Sequence, residues 1–586
     1  AASLVRTSGP RKTDGIEPYH DRIRESLMRT LAGSTLTSVH RALATILQDR
    51  ADSDPHVLSV HFEGAGEIEL ARRHAVIAAE RASAVLAFER AASAYERALR
   101  LGAVDAERAS LLEARGRALF DAGRGAEAGP LFLEAAQHRD VAASRRLRRQ
   151  AVESFLTAGH VRPGVQALVP LCAEIGLPYH ASNARATLSV LNQLARLYFS
   201  GVERRSRPLA GNQEELQFEV DVCWAAGRGL SVIRPAQGLD LLLRGLLLAA
   251  KLGEPHRLAR SLTLQGSALV AMGGPLGALG ARWLARAGEL ADERDDPYLR
   301  GLTDVFFGFA EIAGAGRWPL AMEHAERGMQ TLQRHCTGVG WERDMGMAVW
   351  LKAFEPSGDV RSLGVKAAEW AREAAARGDV YTQNVAASFI VPQLIAEGDL
   401  AGARHQARVA LADWHDIGYT VQHYHATRLE ACCDLYSGDA PSAWRRFLAD
   451  LPRFKETQLY RLSLSRIELL ALEGVIRLSL AASKDGKSHR AAAKKLGARL
   501  ALESRNDAKP HAAMINGSLA VLFGDRQAGI EQLSAARDSY LQAAMPNWSW
   551  SVTRRLAELA ERHSDVQAAD AWFTAHGVSD PQRWVA

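Results

Sequence analysis

From about residue 21 to the end of the chain, apolar and small residues recur three and four positions apart, the spacing that gathers them on one face of an α-helix. Ile23, Leu27, Met28 and Leu31 mark the first such face, on a helix predicted to start at about Asp21, and a second helix is expected over 36–50. Leu70, His74, Ile77 and Arg81 line the next, which Leu86-Ala87-Phe88 interrupts. Ala91, Tyr95 and Ala98 form the stripe that follows. Small residues there let two helices approach, and the aromatic ring fills the groove between them. Leu112, Gly116, Ala128, Phe132 and Ala135 stand at the spacings of a helix–turn–helix repeat of about 34 residues. Gly164 and Leu168 repeat the second-helix pattern 36 residues after Ala128 and Phe132.

Glycines punctuate this pattern at near-regular intervals. Gly123, Gly159, Gly316, Gly358, Gly398, Gly438 and Gly524 sit where one helix must reverse into the next, and the intervals from 316 to 358, 358 to 398 and 398 to 438 are 42, 40 and 40 residues. Such recurrence predicts stacked two-helix units, about eleven of them, in a superhelical solenoid rather than a single core. Further breaks are expected at Gly253, Asp295-Asp296-Pro297, Gly378 and Gly418, and one missing bend is placed in 482–488. The polar stretch 200–212 reads as the main internal boundary. Residues 1–20 differ: two short strands, about 4–7 and 16–20, followed by helices, are what remains of a winged-helix domain cut through its last third. The expected organisation is a winged-helix/ATPase remnant over 1–50, shorter hairpin repeats over 51–205 and longer ones over 206–586. The fold class is all-α.

Composition changes this picture little. Charged residues are 24% and the net charge is only +5 over 586 residues, which gives no argument for a nucleic-acid partner. The densest basic run, Arg145, Arg146, Arg148 and Arg149, reads as a solvated helix face. The five cysteines (Cys172, Cys223, Cys336, Cys432, Cys433) have no metal-ligand spacing, and reduced thiols in a cytoplasmic protein are expected. The most apolar stretch, 239–250, contains Asp240 and Arg244 and reads as a buried helix rather than a membrane span. A first residue of alanine suggests a piece of something longer.

Motifs that carry chemistry are sparse. Gly486-Lys487-Ser488 looks like the end of a phosphate-binding loop, but position 481 is alanine instead of glycine and no strand is expected before it. His415, His423 and His425 cluster, yet residues two apart on a helix diverge by about 200°, which does not suit one metal. No catalytic constellation is found, so neither a cofactor nor an enzymatic role is expected. Trp224, Trp341, Gln422 and His423 are the candidates for contacts to a ligand in the groove, and packing inside the hairpins is the competing reading for both tryptophans.

Pro18-Tyr19-His20-Asp21-Arg22-Ile23-Arg24-Glu25, followed by a leucine-containing helix, resembles the end of the ATPase module in bacterial signal-transduction ATPases. Segments such as Asp221-Val222-Cys223-Trp224, Gly340-Trp341-Glu342, Gln422-His423-Tyr424 and Ala443-Trp444-Arg445-Arg446 resemble the tetratricopeptide-like tails of large bacterial serine/threonine kinases that carry such a module. The resemblance implies a nucleotide contact for His20 and Arg22 in the parent protein, with kinase and ATP-binding residues upstream. It implies a sensor or scaffold tail whose partner is a protein or small effector, with neither membrane nor nucleic acid involved. Related tails occur in large transcriptional activators that end in a helix-turn-helix, for which Asp580–Ala586 leaves no room. The alternatives are the tail of an ATP-dependent transcriptional regulator or a nucleotide-binding fragment acting through Lys487 and Ser488 or through His20.

Overall fold

In the computed structural model the described residues are 5–7, 16–18, 21–103, 105–200, 213–411, 419–483 and 486–585. They form helices almost throughout, after one antiparallel strand pair, Val5–Thr7 with Ile16–Pro18. His20, His415 and the expected break at Gly418 lie outside the described residues, as does 201–212. The first two helices are Asp21–Thr30 and Gly33–Gln48, the second starting three residues before its predicted position.

The bends are as the glycines predict. Gly123, Gly159, Gly316, Gly358, Gly398, Gly438 and Gly524 all have φ between 71° and 103°. A recurrent two-residue device explains the turn. In Gly358-Asp359, Gly398-Asp399, Gly438-Asp439 and Gly524-Asp525, the glycine adopts the left-handed conformation that closes one helix. The aspartate then accepts a hydrogen bond from the backbone N–H three residues on, at 2.9–3.1 Å, and caps the next helix. The missing bend falls between Ser463–Ala481 and Lys487–Ala501, so Lys487 and Ser488 begin a helix that follows a helix. Leu86, Asp295, Ala544 and Glu561 make the same left-handed reversal without glycine.

Two compact units are present. One comprises residues 1–122 and 130–147, the other 123–129 and 148–586. In the first, the predicted stripes are buried: Ala91, Ala98, Leu112, Phe132 and Ala135 are at most 2% exposed, and Tyr95 is 8% exposed. Gly116 is required by packing, since a Cβ there would sit 2.9 Å from the Phe132 ring.

In the second unit sequential hairpins pack side by side, as in Gln213–Ile233 with Pro235–Leu252 and Pro255–Met272 with Gly274–Arg294. The expectation that each buries its apolar stripe only against its neighbours is incomplete, because distant turns of the chain also meet, and buried ions sit at the joints. Arg228 is 3% exposed and pairs with both Glu153 and Glu342, while Tyr298 donates to Glu342 at 3.0 Å. Burial disfavours the charge of Arg228, but its two carboxylate partners outweigh that and hold it in the charged form. At a second joint Arg428 donates to Glu355 at 3.0 Å, Lys352 pairs with Glu355 and Glu468, and Tyr424 donates to Glu468.

At a third joint, the helix Pro297–Ala310 ends in a π turn over Glu311–Ala315, which frees carbonyls inside the protein. Arg505 reaches across to the carbonyls of Ile312 and Ala313 while Asp507 holds its other face at 2.7 and 3.0 Å. Ser463 Oγ lies 2.7 Å from the same Ala313 carbonyl.

A fourth joint brings the bend at Gly159 against the bend at Gly378. Val380 N–H donates to the Ala158 carbonyl at 3.1 Å, and His160 Nε2 donates to the Gly378 carbonyl at 3.0 Å. A Cβ at Gly159 would lie 2.8 Å from Tyr381 N, so this approach needs glycine twice over, for φ and for space. Beside it Asp344 accepts from Arg377 at 3.0 Å and shares the pocket with Asp379. Burial, then the neighbouring Asp379 carboxylate, push Asp344 up to about 7.

Two predictions follow from these joints. Arg228→Met leaves Glu342 buried without a counter-charge and Glu153 with Arg149 alone, and is expected to cost about 3–5 kcal/mol in urea denaturation, whereas Arg228→Met combined with Glu342→Gln regains most of that loss. Asp344 takes up a proton on folding at pH values between its ordinary 3.8 and about 7, so its contribution to stability falls as pH rises through that window. Asp344→Asn is therefore expected to raise the melting temperature by an amount that grows from pH 4 to pH 7 and then levels off. A pH-independent difference would remove the assignment.

Candidate functional site

The four groove candidates take different places. Trp224 and Trp341 are 5% and 7% exposed and belong to the core around the first joint. The Arg228 guanidinium lies 5.7 Å from the Trp224 ring and 5.2 Å from Trp341, and Arg260 lies 4.9 Å from Trp224. These rings sandwich a buried cation, which accounts for their position through attraction to the π faces. His423 serves the start of its own helix: Thr420 N–H donates to its Nδ1 at 3.2 Å, and its ring stacks on Tyr419. Arg22 is exposed, and nothing further about its role is visible.

Gln422 is different. It is the second residue of the helix Val421–Tyr436, two after the Thr420 cap, and that register turns its side chain inward, where it is 4% exposed. There it lines a slot between Val421–Tyr436, Val380–Ser388 and the end of Leu400–Val409. The polar lining is Asn384, Ser388, Gln422 and His425, and the apolar walls are Val385, Ala407, Ala410, Ala426 and Leu429. The enclosed space is room for about one water molecule. It exists because the three alanines stand where larger side chains would close it.

Several of its polar atoms have no hydrogen-bond partner, as is also true of buried atoms elsewhere, such as both amide atoms of Gln265. Gln422 Oε1 and Nε2, Asn384 Nδ2 and His425 Nδ1 are buried and have no hydrogen-bond partner. Asn384 is 3% exposed. A buried polar group left dry costs about 1–3 kcal/mol, and a single water is the occupant that the space admits. Ser388 does not relieve them, because its hydroxyl donates to the Val385 carbonyl of its own helix at 2.7 Å.

The slot is also electrically neutral. His425 is pushed down to about 4, chiefly by burial and then by Arg428 and Lys352, so its imidazole is uncharged at neutral pH. The nearby Arg428, Lys352, Glu355 and Glu468 satisfy one another at the second joint. Asn384 carried no signal that could have singled it out in sequence, since a lone asparagine on a predicted helix is unremarkable. His425 was visible as part of a histidine cluster, but its use lies in neutrality rather than metal binding.

The thiols of Cys172, Cys223 and Cys433 are buried and free, and burial raises each of them, to about 12 for Cys172 and Cys433. In the basic run, Arg148 and Arg149 are engaged by Glu174 and Glu153. No helix among the described residues is long and apolar enough to cross a membrane.

No family model matches the chain, and no curated protein is similar to it. Among solved structures, the crystal structure of the APC/C heterotetramer Cut9–Hcn1 is similar, with 12% sequence identity over 93% of this chain and 95% of that one and a TM-score of 0.33. A superposition that loose carries no argument beyond itself. The tetratricopeptide-like character of the fold rests on the hairpins, their glycine bends and their buried small-residue stripes.

Proposed function

We propose that this chain is a non-catalytic sensor and scaffold, a helical-repeat region that binds a small effector or a protein segment and passes its state to an ATPase and serine/threonine kinase of bacterial signal transduction. The observation that supports the reading is the run of stacked helix pairs closed by left-handed glycine bends, the architecture by which repeat proteins present extended binding surfaces. The regulatory link to a kinase comes from the resemblance of the tail segments and of the stretch around His20 and Arg22.

The nucleotide-binding alternative makes a different demand. Lys487 and Ser488 open the helix Lys487–Ala501 after another helix, a setting without the strand that presents a phosphate-binding loop. Calorimetric titration of the chain with ATP and Mg²⁺ is expected to show no saturable binding at micromolar nucleotide. Micromolar binding that Lys487→Ala abolishes would replace the scaffold reading with the nucleotide-binding one.

A further inference from the structure

The charge of the chain is unevenly placed. From Lys487 to Leu522 stand seven lysines and arginines against two carboxylates, an excess of five, which equals the net +5 of the whole chain. Five of the ten lysines fall within 484–509. Both carboxylates are already engaged: Glu503 accepts from Arg466 at 2.8 Å, and Asp507 holds the buried Arg505. The helix Lys487–Ala501 itself contains no acidic residue.

The cations of that helix divide into two groups. Arg490 lies over the Phe523 ring at 3.5 Å, and Arg499 donates to the Tyr460 hydroxyl at 2.6 Å. Lys487, Lys494 and Lys495 are exposed and make neither ion pair nor hydrogen bond among the described residues. At its joints this protein meets carboxylates mostly with arginine, whose rigid fork suits a fixed internal partner. A lysine left in water is a hydrated point charge on a flexible stem, free to meet a partner from outside.

The inner face of the helix is occupied, since Ala493, Leu496 and Leu500 are buried in one core with Ile467 and Ile515 of the neighbouring helices. On the outer face Lys487, Ala491, Lys494, Ala498 and Leu502 recur three and four positions apart and share one stripe. Leu502, at the end of that stripe, is 88% exposed. The two alanines leave a shallow seam between the lysines, into which the ridge of a second helix packs closely. From the rise per residue of an α-helix the seam is about 22 Å long. A phosphate backbone makes no use of such a seam or of Leu502, and a membrane finds no apolar face to take up, because that face is packed inside.

We infer that the outer face of Lys487–Ala501, continued by Leu502, is a docking surface for an acidic amphipathic α-helix of a partner protein, whose carboxylates meet Lys487, Lys494 and Lys495. The inference rests on the scaffold reading and names the kind of partner that reading leaves open.

The test uses the full chain and a fluorescein-labelled peptide of four Glu-Ala-Leu-Glu repeats, followed by fluorescence anisotropy at about 50 mM salt, where exposed charges are weakly screened. Saturable binding is expected, at least tenfold weaker for the Gln-Ala-Leu-Gln counterpart. Lys494→Glu combined with Lys495→Glu is expected to weaken it at least tenfold, and Leu502→Asp at least threefold. All three positions are exposed, so the melting temperature is expected to stay unchanged, which separates lost docking from lost fold. The proposal is overturned if the acidic peptide does not bind, if the uncharged peptide binds as well, or if either variant binds as tightly as the original chain. Equal binding of a scrambled peptide of the same composition, without the helical spacing, also overturns it. So does tighter binding of a short DNA duplex at the same salt, which would assign the face to nucleic acid. These outcomes are distinct from failure of the scaffold reading, which appears as nucleotide binding that Lys487→Ala abolishes, about two helical turns away from Lys494 and Lys495.

Discussion

The second unit depends on burying charge where distant turns of the chain meet. Arg228, the Lys352–Arg428 pair and Arg505 each lie between segments far apart in sequence, and each is matched by carboxylates or freed carbonyls within hydrogen-bonding reach. An isolated buried cation is very costly, and a matched one is close to neutral in stability. The consequence is selectivity: only the arrangement that aligns every partner is tolerated. Apolar packing between small residues would accept several rotations of one helix over another, and a bidentate guanidinium accepts few.

The same strictness shows around Gln422, where Asp379 accepts from Thr382 N–H, Thr420 N–H donates to His423 Nδ1 and Tyr424 donates to Glu468. A fold that places Arg505 against two carbonyls of a π turn fixes its hydrogen-bonding groups across segments nearly two hundred residues apart.

Much of the architecture was legible in the sequence because it is local. Glycine followed by aspartate encodes a reversal through two short-range effects, positive φ at the first residue and a side-chain cap at the second, and neither needs tertiary information. Ala91, Tyr95 and Ala98 encode a helix face in the same way. The joints were not legible. Arg228 and Glu342 are 114 positions apart, and an arginine in a helical pattern looks alike whether it is solvated or buried. The same ambiguity surrounds Trp224 and Trp341, whose place beside Arg228 depends on that long-range contact. Gln422 was visible as a candidate only by its neighbours, and Asn384, its counterpart across the slot, was not visible at all. The reversals at Leu86 and Glu561 also escape a glycine-based reading, since their φ is imposed by the helices on either side.

The meeting of the Gly159 and Gly378 bends has a kinetic corollary. A linear repeat array can nucleate anywhere and grow by adding neighbours, because every contact is short in sequence. Here more than two hundred residues must be laid down before Ala158 finds Val380, and the loop-closure entropy is paid before that contact rewards it. The unit therefore has the folding topology of a high-contact-order domain built from low-contact-order parts: hairpins that can form early and independently, and a late, concerted closure that locks them together.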